Sequence, residues 1–233
     1  GGFVGGSLDD ANRPAAFLAE HSPALVLAIG YALAPARPFP AAPEDAYAAA
    51  LWVAEHAAEL GGDPTRLAVA GDDAGGNLAA ALTLIARDRN GPAIAAQALI
   101  GPMLDPSMTH LGDGQHLNSD LDASTCAACY RQYLPQPCHR LHPYAAPLAS
   151  VRQAGLPPAL IVTAECDVLH KEAEHYAAAL IAAGVPTQVA RFGGINHAAL
   201  PSHRPALDEI AHFLRRRLTP VEQPDSGSSR PPI

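Results

Sequence analysis

The stretch Leu67-Ala68-Val69-Ala70-Gly71-Asp72-Asp73-Ala74-Gly75-Gly76-Asn77-Leu78-Ala79-Ala80-Ala81-Leu82 reads as a short apolar strand, a turn of small residues and the opening of an Ala-rich helix. A strand that becomes a helix within about two residues forces the apex of the turn toward positive φ, so only small neighbours fit beside it. The apex is Asp73. Its side chain is expected at the top of a sheet, over the positive end of the following helix, where backbone N–H groups stabilise negative charge.

Outward from this turn, short β-branched or Leu-rich runs alternate with longer stretches of helical period. Strands are expected at Ala24–Gly30, Arg66–Ala70, Ala95–Ile100, Ala159–Ala164 and Gln188–Phe192, and helices at Pro43–Leu60, Gly75–Asp88, Lys171–Ala183 and Arg204–Arg217. Pro43 near a helix start, acids Glu44 and Asp45 in its first turn and Gly61-Gly62 past its end follow the usual helix punctuation. The alternation predicts an α/β fold, a mostly parallel sheet flanked by helices, with the ligand site at the carboxyl ends of the strands. Leu104–Pro147 falls outside the pattern, with one helix expected at Ala123–Tyr133, and reads as a long insertion forming a lid or pocket wall. Residues 1–220 form one domain in this reading, and the Pro/Ser-rich run 221–233 is expected to be a disordered tail.

Composition narrows the function. The chain has 233 residues, 48% apolar and 16% charged, with a net charge of −8. That balance disfavours a nucleic-acid backbone or an anionic membrane surface as partner. No apolar run reaches the roughly 18 residues of a membrane span. Four cysteines, Cys126, Cys129, Cys138 and Cys166, are too few for a disulfide scaffold, so a reducing, cytoplasmic setting is the default. The chain opens Gly1-Gly2-Phe3 without an initiator Met, which leaves any targeting signal undetermined.

Several separate motifs, in order, resemble the hormone-sensitive-lipase-like branch of the α/β-hydrolases, which includes many bacterial esterases. Gly1-Gly2-Phe3 resembles the end of that family's His-Gly-Gly-Gly-Phe motif, which implies that the fold's N-terminal part is truncated. Tyr31-Ala32-Leu33-Ala34-Pro35 is similar to its Tyr-Arg-Leu-Ala-Pro segment. Gly71–Gly76 matches its Gly-Asp-Ser-Ala-Gly-Gly elbow at all positions but one. Ala164-Glu165-Cys166-Asp167-Val168-Leu169 resembles the acid loop and Gly193-Gly194-Ile195-Asn196-His197 the histidine loop. The resemblance implies an α/β-hydrolase fold with a nucleophile, acid and base at Asp73, Asp167 and His197. It also implies an oxyanion hole from the N–H groups of Gly1, Gly2 and Ala74 and a small-molecule ester or similar apolar ligand as partner, with a homodimer left open; the Gly-rich turn lacks the spacing of a phosphate loop or a dinucleotide fold, so no cofactor is expected, and no metal. The implied activity is carboxylic ester hydrolysis on small acyl esters.

The departure is at residue 73, where the family has serine. A carboxylate has no proton for His197 to remove, and an adduct with an alkyl ester expels the carboxylate, of pKa about 4, in preference to the far more basic alkoxide. An ionised Asp73 is also expected to occupy the anion-binding donors with its own oxygen and to pair with His197, raising the imidazole's pKa. Ester turnover is therefore expected to be impaired. Two alternatives stand beside this reading: a pseudo-hydrolase that binds a ligand without turning it over, and an aspartate-nucleophile hydrolase acting on haloalkanes or epoxides.

Other candidates have plainer readings. Cys126, Cys129, Cys138 and His142 have a spacing compatible with zinc, but small thiols at i, i+3 on a helix more often pack. His110, His116, His139 and His142 cluster in the insertion as pocket-lining candidates. Asp72 is expected to be a structural acceptor for the elbow, and Glu165 is the alternative to Asp167.

Overall fold

The computed structural model describes residues 1–219. Four parallel strands form the sheet in the order β1-β2-β3-β4: β1 (Leu67–Asp72), β2 (Ile94–Ile100), β3 (Ala159–Cys166) and β4 (Thr187–Asn196). Around them run α1 (Leu8–His21), α2 (Ala41–His56), α3 (Asp73–Asp88), α4 (Gly114–Leu117), α5 (Ala123–Tyr133), α6 (His170–Ala182) and α7 (Arg204–Leu218). The α/β expectation holds.

The central strands are apolar on both faces, as a parallel sheet covered on both sides requires. Ala98 and Ile100 of β2 and Leu160, Val162 and Ala164 of β3 pack toward Leu18 of α1 and Ile210, Phe213 and Leu214 of α7. The alternate residues Leu99 and Ile161 pack toward Leu84 of α3 and Tyr176 and Leu180 of α6. Period-2 alternation thus gives β2 and β3 two buried faces and each helix layer its own core.

Register then positions the site. Asp72 pairs with Ile100, so the residues that follow, Asp73 and Gly101, stand level at the top of β1 and β2. Cys166 pairs with Asn196, beyond an irregularity after Ala164, so Asp167 and His197 emerge side by side.

Several boundaries differ from expectation. The helix at 43–60 is α2, and it gives way to a turn in which the N–H of Gly62 donates to the carbonyl of Ala57 at 2.7 Å. α3 starts at the apex residue itself, and β4 runs longer than the apolar run suggested. α1 was not anticipated, because Pro14 and a charged composition mask its period.

The strand expected at Ala24–Gly30 does not form. The segment carries no ladder pairing, and β1 pairs only with β2. A cavity of about 620 Å³ is lined by residues 24–31 and by β1, and Leu25 and Ile29 are exposed. Alternation supplies the shape of a strand, but a strand exists only where a neighbour completes the ladder. The tail at 221–233 lies outside the described residues.

Candidate active site

The elbow is tight. Asp73 has φ 52° and is buried, and the carbonyl of Asp73 accepts from Met103 N–H at 3.1 Å, which ties the apex to the loop after β2. A Cβ on Gly71 would collide with the Gly75 carbonyl, so the strand can pass this close to the helix start only as glycine. The buried amide of Asn77 donates to the carbonyls of Met103 at 2.7 Å and Ala145 at 3.1 Å, anchoring the first turn of α3 from two sides.

At the same carboxyl edge of the sheet, after β3, fully buried Asp167 divides its carboxylate. Oδ1 accepts from Leu169 N–H at 2.9 Å, and Oδ2 lies 2.8 Å from His197 Nδ1. The acid thereby fixes the imidazole's orientation and leaves Nε2 pointing at the elbow. Gly101, with φ 46°, makes room for the pair, since a Cβ there would lie 3.2 Å from Asp167 Oδ2 and 3.3 Å from His197 Nδ1. Glu165 instead accepts from Gly194 N–H at 2.8 Å and does not reach the imidazole.

Between these halves, Asp73 Oδ1 stands 3.7 Å from His197 Nε2, and Asp73 Oδ2 accepts from Gly2 N–H at 2.6 Å. The expected trio of residues 73, 167 and 197 is therefore brought together. Of the three expected donors, Gly2 meets the carboxylate directly. Gly1 packs against it, but its amine donates to the Gly5 carbonyl at 2.7 Å, and Ala74, fully buried behind the apex, makes no hydrogen bond to the Asp73 side chain.

Electrostatics follow from this crowd of carboxylates. Burial pushes the His197 pKa down, but the hydrogen bond and charge of Asp167, followed by the charges of Asp73 and Asp120, overcome it and raise the pKa to about 9. Asp120 escaped sequence reasoning. It lies in the 104–147 segment and accepts from the N–H groups of His197 and Ala198, both at 3.0 Å, so the insertion supports the histidine loop. No local signal separates it from its neighbour Asp122, which caps α5 by accepting from Thr125 N–H at 2.7 Å.

Other expectations resolve differently. Asp72 is exposed beside the cavity and its side chain accepts no hydrogen bond from another residue, so it is not the elbow's acceptor. The insertion's histidines disperse: His110 sits 2.7 Å from Asp105, exposed His116 lies 3.2 Å from Asp113, and His139 and His142 pack on Phe39. Cys126 is buried and Cys138 exposed, and among the described residues no group of three or more His, Cys, Asp or Glu is arranged to hold a metal. Cys129 packs against Gly2, one step from the donor.

A family model described as alpha/beta hydrolase fold, Abhydrolase_3, matches residues 1–201. The chain belongs to this family. The chain is 41% identical over 194 residues to carboxylesterase NlhH of Mycobacterium tuberculosis, covering 81% of this chain and 60% of that one. It is 40% identical over 203 residues to ethyl acetate hydrolase of Pseudomonas putida, covering 84% and 63% respectively. It thus spans about three fifths of the length of these curated relatives. Among solved structures, the thermostable carboxylesterase EstE1 from a metagenomic library superposes with a TM-score of 0.88 at 38% identity, covering 94% of this chain and 78% of that one. The Pyrobaculum calidifontis esterase superposes with a TM-score of 0.85 at 39% identity, covering 93% and 73%. Carboxylesterase-like function is what these relatives share by name. No helix among the described residues is long and apolar enough to cross a membrane.

Proposed function

We propose that this is a carboxylesterase-type site for small acyl esters in which Asp73 stands at the nucleophile position and holds ester turnover low. Asp167 is the orienting acid, His197 the base, and Gly2, with Gly1 and Ala74 nearby, the oxyanion donors. Residues 104–147 flank the site through Asp120, on the histidine loop, and Cys129, against Gly2. A relative named for ethyl acetate supports a short acyl and alkyl substrate.

One observation carries the reading: the Gly2 N–H is already engaged by Asp73 Oδ2 at 2.6 Å. Catalysis of acyl transfer needs that donor empty in the ground state and filled as the carbonyl oxygen becomes negative. Here the protein's own anion fills it. The same carboxylate helps hold His197 as imidazolium, which cannot remove a proton. A neutral hydroxyl at residue 73 frees the Gly2 donor and removes one of the charges that, after those of Asp167, raise the His197 pKa.

The test is p-nitrophenyl acetate hydrolysis by Asp73→Ser. The rate is expected to rise by about three orders of magnitude over the unsubstituted chain, the scale on which an intact nucleophile, base and oxyanion hole exceed a triad-deleted site. An unchanged rate in a folded variant contradicts the proposal.

A further inference from the structure

Glu172 lies in the first turn of α6, shortly after the acid loop, and its side chain is fully buried. Oε1 accepts from Leu104 N–H at 2.6 Å, whereas Oε2 has no hydrogen-bond partner among the described residues. The charges that act on it are those of Asp105 and Asp167, both negative. A carboxyl group in such surroundings costs stability, and Glu is seldom fully buried without a partner of opposite charge. Its one hydrogen bond is therefore the place to look for what it does.

Leu104 belongs to a short connection between the elbow and α6. Met103 N–H donates to the Asp73 carbonyl at 3.1 Å, the Met103 carbonyl accepts from Asn77 in the first turn of α3 at 2.7 Å, and Leu104 N–H donates to Glu172. Both residues are buried, so none of these bonds exchanges readily for water. The connection thus holds the apex residue from one side and is itself held by α6 from the other. α6 in turn starts at the acid: Leu169 N–H donates to Asp167 Oδ1 at 2.9 Å, and the Leu169 carbonyl accepts from Ala173 N–H, next to Glu172, at 3.1 Å. Through Glu172, the helix behind the acid grips the backbone behind the nucleophile position.

We propose that Glu172 is a positioning residue for the site: by accepting from Leu104 N–H it fixes α6 to the connection that holds the elbow, and so sets the spacing between residue 73 and His197. An apolar side chain of the same volume fills the space but leaves the Leu104 N–H unpaired in the core, and the connection is then free to move toward another acceptor. A displacement of about 1 Å at the elbow is enough to matter, since residue 73 and His197 act on one reacting centre.

The same geometry says which form of Glu172 does this. Around it stand Asp105 after β2, Asp167 after β3, and Cys126 and Tyr130 of α5, whose own acidity the Glu172 charge suppresses. The Tyr130 hydroxyl is buried and, like Oε2, without a partner among the described residues. Burial, followed by the charges of Asp105 and Asp167, pushes the Glu172 carboxyl well above the usual carboxylate range. Glu172 is therefore the neutral acid, with Oε1 as the accepting carbonyl oxygen and the proton on Oε2. A neutral acid has the shape of glutamine, which makes the two roles of the group, hydrogen bond and proton, separable by substitution.

The experiment compares Glu172→Met, which fills the space without an acceptor, with Glu172→Gln, whose amide oxygen still accepts from Leu104. In otherwise unsubstituted chains, NMR titration of the His197 ring reads the spacing. Its midpoint near 9 is expected to fall by about 0.5 pH units in Glu172→Met, as Asp73 leaves its place 3.7 Å from Nε2, and to stay in Glu172→Gln. In an Asp73→Ser background, a measurement that rests on the ester-site reading, the kcat for p-nitrophenyl acetate per active site counted from the acyl-enzyme burst should drop about 10- to 100-fold in Glu172→Met. KM should change less than about threefold, and glutamine should restore kcat. Thermal melts report the proton. Glu172 ionises near 4.5 when unfolded and stays protonated in the fold, so its contribution to stability is fully present below about pH 4.5 and is lost as pH rises. Glutamine has no proton to lose, so the Tm difference in favour of Glu172→Gln should widen by about 3–5 °C for each pH unit between about 5 and 7. Should Glu172→Met not fold, Glu172→Asp, one methylene short of Leu104, replaces it with the same expected His197 and kcat changes. An unmoved His197 midpoint in the folded variant, a kcat loss that glutamine does not restore, or a Tm difference flat with pH would overturn the proposal. An Asp73→Ser chain without esterase activity would contradict the ester-site reading instead, and the His197 titration and the melts would still decide this one.

Discussion

Asp167 and Asp73 approach one imidazole from opposite sides with the same device. Each ties one oxygen to a backbone N–H, Leu169 at 2.9 Å and Gly2 at 2.6 Å, and turns the other toward a ring nitrogen. Asp167 closes to 2.8 Å of Nδ1 and is fully buried; Asp73 stops 3.7 Å from Nε2 and touches solvent. The difference assigns the roles. A carboxylate within hydrogen-bond distance orients the ring, and one just beyond it acts through charge and keeps an oxygen free to react. Two aspartates of identical chemistry are thus separated in function by less than an ångström and by the donor that each engages.

The sharpest way to break this comparison is to change one side and ask whether the other begins to matter. In an Asp73→Ser background, Asp167→Asn is expected to lower the kcat for p-nitrophenyl acetate by about 10³- to 10⁴-fold, the cost of losing the correct tautomer of a working base. In the unsubstituted chain the same change should alter ester cleavage less than about tenfold, because His197 is not acting as base there. Equal effects in both backgrounds would show that the two sides are not coupled through His197.

A smaller effect separates Asp167 from the acids around it. With serine at position 73, Asp120→Asn is expected to reduce kcat less than about tenfold, since asparagine still accepts one of the two loop N–H groups and only a distant charge is lost. Glu165→Gln should change it less than about threefold, as its partner is Gly194 rather than the imidazole. A large loss in the Glu165 variant would move the orienting acid to the wrong residue.

These assignments also show what the linear chain carries. Gly71 and Gly76 flanking Asp73, and loops that hold Asp167 and His197 after apolar runs, were legible because turn chemistry and strand period are local. The pairing of Cys166 with Asn196, which sets acid and histidine side by side, agrees with that reading but is a property of the folded sheet. Asp120, Gly101 and the unpaired course of Ala24–Gly30 were not legible. Each depends on contacts far away in sequence, as between Asp120 and His197, and no local pattern encodes a distant partner.

The smallest expected effect is on stability. The His197 pKa is raised in the fold above its unfolded value of 6.5, so its contribution is fully present below pH 6.5 and is lost as pH rises through about 9. Between those limits the Tm is expected to fall by about 5–10 °C from this group. Asp73→Ser, which removes one of the raising charges, should flatten the slope when both proteins are followed by circular dichroism. An unaltered slope would detach Asp73 from the histidine's protonation.

The central claim is that the charge of Asp73 helps hold His197 as imidazolium. Its most direct test is the NMR titration of the His197 ring, assigned by comparison with His197→Gln, in the unsubstituted chain and in Asp73→Ser. A midpoint near 9 that moves toward 6.5 when serine replaces the aspartate is the predicted result. A midpoint near 6.5 in both proteins would contradict it.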